Sequence, residues 1–151
     1  MDTKREHYMR LALLLAEEAT AAGEVPVGCV VCNASGEVIG RGRNRCMEKH
    51  DATAHAEMEA IREASAAVGD WRLDGCTLFV TLEPCPMCAG AIMNSRIHHV
   101  VFGARDAVKG ACGSVIDLFY ENFPDKAAVF GGVLAEESAE KLSTFFDSVR
   151  K

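Results

Sequence analysis

Two short motifs constrain this chain more than any other feature of its sequence. The triplet His55-Ala56-Glu57 offers an imidazole and, two residues later, a carboxylate, while a Pro-Cys-Pro-Met-Cys run supplies two thiolates, Cys85 and Cys88. Zinc prefers imidazole and thiolate ligands, and three protein ligands leave one tetrahedral position open for water, as in catalytic sites. The sequence therefore predicts one zinc ion on His55, Cys85 and Cys88, with Glu57 free to move the protons of the bound water.

The positions of these motifs in the expected secondary structure support the same interpretation. Cys85 ends a strand–loop segment, Cys88 lies in the first turn of a helix expected over 86–94, and His55 begins a helix over 55–67. A helix N-terminus lowers the pKa of a nearby thiol and favours the thiolate. A structural zinc would need a fourth Cys or His; His98 and His99 are available, but they stand in a β-prone run where consecutive side chains face opposite ways.

Length and composition limit the class of protein. The 151 residues predict one domain spanning 1–151, and 49% apolar with 25% charged residues is typical of globular proteins. We expect a cytoplasmic protein with no membrane association, because no apolar run is long enough for a membrane span and the first residues lack an apolar signal core. Seven cysteines, an odd number, argue against a disulfide framework. The net charge of −6 disfavours broad non-specific binding to nucleic acid.

Periodicity predicts strands that alternate with helices after an initial hairpin. Helices are expected over 4–22, 55–67, 86–94, 114–120 and 136–151, and strands over 25–31, 38–43, 76–81, 98–102 and, less regularly, 127–134. The first two strands form the hairpin. This order predicts an α/β fold with a mixed central sheet and helices on both faces.

With both motifs in place, the chain resembles the zinc-dependent cytidine/deoxycytidylate deaminase superfamily, and within it the bacterial tRNA-specific adenosine deaminases. The similarity runs through residues 23–28, 44–45, 50–57, 81–92, 96–97, 101–106, 110–114, 132–134 and 145–146. The metal motifs are common to the superfamily, whereas the stretch 102–114 and the Phe145-Phe146 pair favour the tRNA branch. The resemblance implies a three-layer α-β-α fold with a mixed five-stranded sheet, one zinc per chain and a homodimer.

The resemblance also assigns roles to individual residues. It implies that His55, Cys85 and Cys88 bind zinc, that Glu57 is the catalytic proton shuttle, and that Asn44 and Ala56 bind the target base. Residues expected to contact RNA are Arg43, Arg45, Arg105, Asp106, Lys109, Phe145 and Phe146. Alternating arginines on the second strand can hold phosphates, although a solvated strand face explains them equally well. The two phenylalanines can stack on bases or dock the last helix on its domain.

The predicted activity is hydrolytic deamination of adenosine to inosine at the wobble position of a tRNA anticodon, with tRNA-Arg as the expected partner. Zinc-bound hydroxide would attack the ring carbon and Glu57 would transfer the protons. A deaminase of free guanine, cytosine or cytidine is an alternative, and Val108 stands where the tRNA enzymes usually have a lysine. A non-catalytic zinc-stabilised binding domain is a third possibility, but such a domain gains nothing from a free carboxylate at Glu57.

Overall fold

A computed structural model describes residues 3–150 of the chain and contains five strands and five helices in that range. The helices are α1 (Thr3–Ala21), α2 (Cys46–Lys49), α3 (Ala56–Val68), α4 (Pro86–Asn94) and α5 (Ala135–Val149). The strands are β1 (Gly28–Cys32), β2 (Val38–Arg43), β3 (Thr77–Leu82), β4 (His99–Ala104) and β5 (Ala128–Phe130). The predicted hairpin and the alternation that follows it are confirmed.

The five strands form one mixed sheet in the order β2-β1-β3-β4-β5. β1 pairs antiparallel with both β2 and β3, whereas β3–β4 and β4–β5 are parallel pairs. The carboxyl ends of β3 and β4 therefore lie at the same edge of the sheet. The segment that carries Cys85 and Cys88 leaves β3 at this edge.

Helices cover both faces of the sheet, so the predicted three-layer α-β-α architecture is correct. Alternate residues of β1 point to opposite faces, as strand geometry requires: Cys29 and Val31 pack with α3 and α4, and Val30 and Cys32 pack with α1. α5 lies beside α1 on β4. Because β1 is buried on both faces, its sequence is continuously apolar rather than alternating.

The absence of a side chain at Gly42 lets α3 approach the sheet closely. A Cβ at this position on β2 would lie 2.2 Å from the carbonyl oxygen of Ala56 and 2.6 Å from the backbone nitrogen of Ala60. Both atoms belong to the backbone of α3, so no side-chain rotation would relieve the contact. Gly42 therefore fixes the height of α3 above β2, and with it the start of the helix that His55 precedes.

The predicted helix over 114–120 is wrong. The structure has turns there and an isolated antiparallel bridge between Cys112 and Asp117. The amide of Leu118 donates to the carbonyl of Ala111, seven residues back, and the amide of Ser114 donates to the carboxylate of Glu83. These long-range partners replace the i−4 bonds that a helix would need.

Smaller differences concern the ends of elements. The last strand is limited to Ala128–Phe130, much shorter than the 127–134 expected, because Gly131 and Gly132 follow it. The short helix α2 was not predicted, and residue 151 of the last predicted helix lies outside the described residues. Within residues 3–150, none of the helices combines the length and the apolar character needed to cross a lipid bilayer.

We expect Gly42→Ala to destabilise the protein by about 1–3 kcal/mol, because the added methyl group must displace the backbone of α3. Thermal unfolding measures the effect. The matched control is Gly90→Ala in α4, where an added Cβ meets no atom within 4 Å; there the better helix propensity of alanine should stabilise by about 0.5–1 kcal/mol. Equal melting temperatures for the two variants would contradict the close approach of α3 to β2.

Candidate metal and catalytic site

Two helix N-termini bring the sequence motifs together at the carboxyl edge of the sheet. His55 is the extended residue immediately before α3, and Cys85 is the extended residue immediately before α4, with Pro86 in the first turn of that helix. Neither side chain hydrogen-bonds to its own helix as a cap. The imidazole and the thiol are therefore free to bind something other than the helix ends. Cys88, in the first turn of α4, lies close to both.

The geometry of the three side chains fits zinc. Nδ1 of His55 lies 3.6 Å from Sγ of Cys85 and 3.4 Å from Sγ of Cys88, and all three donor atoms lie within 4.8 Å of one another. Usual Zn–N and Zn–S lengths with tetrahedral angles place such a nitrogen and sulfur about 3.6 Å apart. The distances between the protein atoms are therefore those that a shared tetrahedral ion requires.

The electrostatics of the cluster also favour a cation. A hydrogen bond from Cys88 lowers the pKa of the Cys85 thiol to about 3, and a further bond from His55 acts in the same direction. The hydrogen bond between His55 and Cys85 raises the pKa of His55. The separate bond that Cys88 donates to Cys85 raises the pKa of Cys88 far above its usual range, because the donor must keep its proton. Cys85 is thus the favoured thiolate in the bare cluster, whereas Cys88 keeps its proton. A bound dication would stabilise both cysteines as thiolates at once.

Glu57 lies in the first turn of α3 and is 4% exposed. Burial raises the pKa of its carboxyl to about 7, against the attraction of His55. A carboxyl with a pKa near neutrality can both accept and return a proton, which is the requirement for general acid–base catalysis. The structure therefore places a suitable proton carrier beside the three donor atoms.

The cluster opens into a cavity of 490 Å³. It is lined by the predicted metal and catalytic residues His55, Glu57 and Cys85 and by the predicted base-binding residues Asn44 and Ala56. The remaining lining residues are Val25, Val27, Leu82, Glu83, Arg105, Asp106, Ala107, Val108, Lys109, Leu142 and Phe146. A mostly apolar cleft with a few convergent polar groups is typical of small-molecule and nucleobase sites.

The residues predicted to contact RNA fall into two groups. Arg105, Asp106, Lys109 and Phe146 line the cavity together with the predicted base-binding residues Asn44 and Ala56. Phe145 instead faces a separate groove between α1 and α5. Two arginines do not line the cavity either: Arg43 is paired with Glu48 at 3.0 Å, and Arg45 is paired with Glu48 at 2.8 Å and with Glu59 at 3.7 Å.

Sequence reasoning missed two buried carboxylates, one of which, Glu83, lines the cavity. Glu24, 1% exposed, accepts hydrogen bonds from the amides of Met47 and Glu48 at the start of α2. Glu83, 2% exposed, binds amides of the segment after β4; although burial opposes ionisation, bonds from Ser114, Asp106 and Cys112 hold its pKa below the usual value. The sequence signal that could have found them is an acidic residue next to an apolar run. Such a carboxylate is expected to be buried, and a buried carboxylate needs hydrogen-bond donors.

Comparison with known proteins places the chain in a family. The model of the cytidine and deoxycytidylate deaminase zinc-binding region matches residues 2–104, so the chain belongs to that deaminase family. Zinc is accordingly the cofactor, and His55, Cys85 and Cys88 are the residues that would hold it. The predicted superfamily is confirmed.

Individual relatives narrow the comparison. A tRNA-specific adenosine deaminase of Bacillus subtilis is 48% identical over 150 residues, covering 99% of this chain and 92% of that protein. A tRNA(Ile)-lysidine synthase of Deinococcus radiodurans is 51% identical over 140 residues, 93% of this chain. The chain spans only 24% of the length of that synthase.

Solved structures agree on the fold. One from a study of A-to-I editing by tRNA:A34 deaminases at the wobble position of transfer RNA has a TM-score of 0.85 and 45% identity, covering 90% of this chain and 99% of that one. A guanine deaminase from Nitrosomonas europaea has a TM-score of 0.81 and 26% identity, covering 93% of this chain and 83% of that one. The same fold therefore serves deaminases of different purine substrates.

We expect Cys88→Ala to reduce the zinc content from about one ion per chain to nearly none, because two remaining ligands no longer define a tetrahedral site. Elemental analysis of dialysed protein measures the ratio. Cys76→Ala is the control, since Cys76 is a buried free thiol just before β3, at the opposite edge of the sheet. Full zinc occupancy in Cys88→Ala would contradict the proposed ligand set.

Proposed function

We propose that this chain, as a single domain spanning 1–151, deaminates adenosine to inosine at the wobble position of a tRNA anticodon. The observation that carries the proposal is the buried carboxyl of Glu57 in a base-sized cavity beside the His55–Cys85–Cys88 cluster. The nearly full-length match to a tRNA-specific adenosine deaminase supports tRNA as the substrate. The net reaction converts adenosine and water into inosine and ammonia.

Proton transfer is the part of the reaction that the chain itself performs. When bound, zinc supplies Lewis-acid activation of water, lowering its pKa to about 7. Glu57 accepts a proton from the attacking water and delivers it to the ring nitrogen next to the reacting carbon. Glu57 then passes the second proton of that water to the amino group, which leaves as ammonia. A single buried carboxyl can serve in both directions because it recovers its starting state in each cycle.

Asn44 is proposed to orient the base. Its backbone amide donates to the carbonyl of Val27 at 3.2 Å, and its side-chain oxygen accepts the thiol proton of Cys46 at 3.1 Å. With the oxygen engaged, the amide nitrogen is the group left to donate to an acceptor on a purine ring. Ala56, which is fully buried in the protein, lines the cavity next to His55 and Glu57, and the base would lie against it.

The cavity is also lined by side chains of the kinds that bind RNA. Arg105 and Lys109 bring positive charge to it, and Phe146, 40% exposed, presents an aromatic ring. Cations hold phosphates and aromatic rings stack on unpaired bases, so a splayed anticodon loop suits this surface. Asp106 accepts hydrogen bonds from the amides of Val108 and Lys109. It would therefore affect RNA binding indirectly, by fixing the turn that carries Lys109.

Arg43, Arg45 and Phe145 do not line the cavity, and their proposed roles are more distant from the base. Both arginines pair with Glu48 beside Asn44. The Arg45 pair is partly exposed and weak enough to be exchanged for a phosphate, whereas the side chain of Arg43 is mostly buried. Phe145 packs edge-on against Phe146 with ring centroids 5.5 Å apart, and would support that ring rather than touch RNA.

A cytoplasmic homodimer acting on tRNA-Arg completes the proposal. The segment 115–123 exposes Val115, Ile116, Tyr120 and Phe123, with Tyr120 81% exposed. Apolar groups concentrated on one surface segment are typical of a protein–protein interface. The relatives named for tRNA modification support a location where tRNA is found, and tRNA-Arg follows from the resemblance to the bacterial tRNA enzymes.

Deamination of a free purine such as guanine is the second candidate function. The guanine deaminase from Nitrosomonas europaea has the same fold at 26% identity, and the cavity of 490 Å³ can hold a single base. Val108, which is 78% exposed at the mouth, carries no charge for a phosphate. The two candidate functions share the same hydrolytic deamination. They differ in whether the base is free or part of an RNA loop.

We expect Glu57→Gln to lower kcat roughly 10²–10⁴-fold, because the amide cannot carry a proton between water and base. Zinc content should stay at the wild-type value, since Glu57 is not among the three donor atoms. Ammonia release under single-turnover conditions measures the rate. Glu63→Gln, on the exposed side of the same helix, is the control and should retain activity. A wild-type rate in Glu57→Gln would refute the assigned role.

The substrate test compares a tRNA-Arg anticodon stem-loop with free guanine, adenosine and cytidine. The zinc-loaded protein should produce inosine in the stem-loop and release no ammonia from the free compounds, because only the loop can use the charged and aromatic mouth of the cavity. Nucleoside analysis and an ammonia assay measure the products. Turnover of guanine alone would replace the first candidate with the second.

A further inference from the structure

Glu83 stands between β3 and the ligand Cys85, but its carboxylate points to a different part of the chain. It accepts hydrogen bonds from the amides of Asp106 at 3.0 Å, Cys112 at 2.9 Å and Ser114 at 3.1 Å, and from the hydroxyl of Ser114. All four donors lie in residues 105–114, which we call the wall segment. One buried side chain thus binds this segment near both of its ends.

The wall segment forms one side of the cavity, with residues 105–109 along its lining. It contains neither helix nor strand, apart from the isolated bridge at Cys112. Its other backbone bonds are mostly turns within itself or to residues 115–118, which directly follow it. Apart from the bonds to Glu83, the bond from the amide of Ala111 to the carbonyl of Pro84 ties it to the segment after β3. The carboxylate therefore supplies the backbone partners that regular secondary structure would supply elsewhere.

Gly110 lets the wall segment close around this carboxylate. A Cβ on Gly110 would lie 2.4 Å from both Cδ and Oε2 of Glu83, and 2.5 Å from the carbonyl oxygen of Asp106. No other residue type fits at this position without moving the carboxylate or the turn. The contact therefore needs both residues: the carboxylate of Glu83, directly after β3, and a glycine at position 110.

We propose that Glu83 is a positioning residue for substrate recognition, which sets the shape of the cavity wall and acts neither on the metal nor on the reacting atoms. Its two oxygens divide the donors: Oε1 takes the amide of Asp106 and the hydroxyl of Ser114, and Oε2 takes the amides of Cys112 and Ser114. Glutamine offers only one oxygen. In one orientation its NH2 group faces the amides of Cys112 and Ser114, and in the other it faces the amide of Asp106 and a hydroxyl that can turn to accept. At least one backbone bond of the anchor is therefore lost in either orientation.

The experiment uses zinc-loaded full-length protein and the variants Glu83→Gln, Gly110→Ala and Ser114→Ala. Ser114→Ala removes one donor group and keeps the three backbone bonds. Glu37→Gln is the matched control, because Glu37 is an exposed carboxylate in the turn between β1 and β2, away from the cavity. Hydrogen exchange of the wall segment, zinc content, and kcat and KM on the anticodon stem-loop are measured for each.

In Glu83→Gln and Gly110→Ala, exchange at Asp106, Cys112 and Ser114 should quicken and KM should rise about 10-fold or more, since a displaced wall weakens binding of the substrate and of the transition state equally. Zinc content and kcat at saturation should stay near wild type. Ser114→Ala should change the same quantities in the same direction by less. Glu37→Gln should change none of them.

Loss of zinc, a fall in kcat with KM unchanged, or wild-type exchange in the wall segment would each overturn the proposal. Should Glu83→Gln fail to fold, Gly110→Ala and Ser114→Ala decide the question by the same measurements. The kinetic readout rests on the proposed tRNA activity, whereas hydrogen exchange and zinc content need no substrate. Inactive wild-type protein would therefore refute the proposed function, and the exchange data would still test the anchor.

Discussion

The structure depends on the meeting of two helix N-termini, those of α3 and α4, at the carboxyl edge of β3. His55 and Cys85 occupy equivalent positions, each the extended residue before its helix, and Cys88 follows one turn later. The positive ends of both helix dipoles favour thiolates at this point. The convergence is maintained by packing on the sheet, where Gly42 allows α3 to lie directly on β2. A change in the height of either helix would separate the donor atoms.

Three buried glutamates have different roles because their surroundings differ. Glu24 accepts the amides of Met47 and Glu48 and fixes the start of α2. The amides that Glu83 accepts stabilise its charged form and fix the wall segment beside the cavity. Glu57 is buried with its pKa raised to about 7, which makes its proton available. The same carboxyl group is thus an anchor where donors surround it and a proton carrier where burial dominates.

The sequence was sufficient for the zinc cluster, the hairpin and the alternation of strands and helices, because short motifs and periodicity encode these features locally. It was not sufficient for residues 114–120, where the amides of Ser114 and Leu118 bind Glu83 and Ala111 instead of forming a helix. Neither Glu83 nor Glu24 could be assigned from sequence, since their partners are more than 20 residues away. Arg43 and Arg45 pair locally with Glu48, in and before the unpredicted helix α2, and the contact of Arg45 with Glu59 comes from the packing of α3.

The position of Phe146 in the lining of the cavity has a consequence for how the protein is made. The two cysteine ligands precede α5 in the chain, and the strands β4 and β5 lie between them and that helix in sequence. A ribosome therefore releases the complete set of metal donors well before the aromatic ring that borders the substrate. Metal capture can accompany synthesis, whereas the finished mouth appears only after the last helix has emerged and docked.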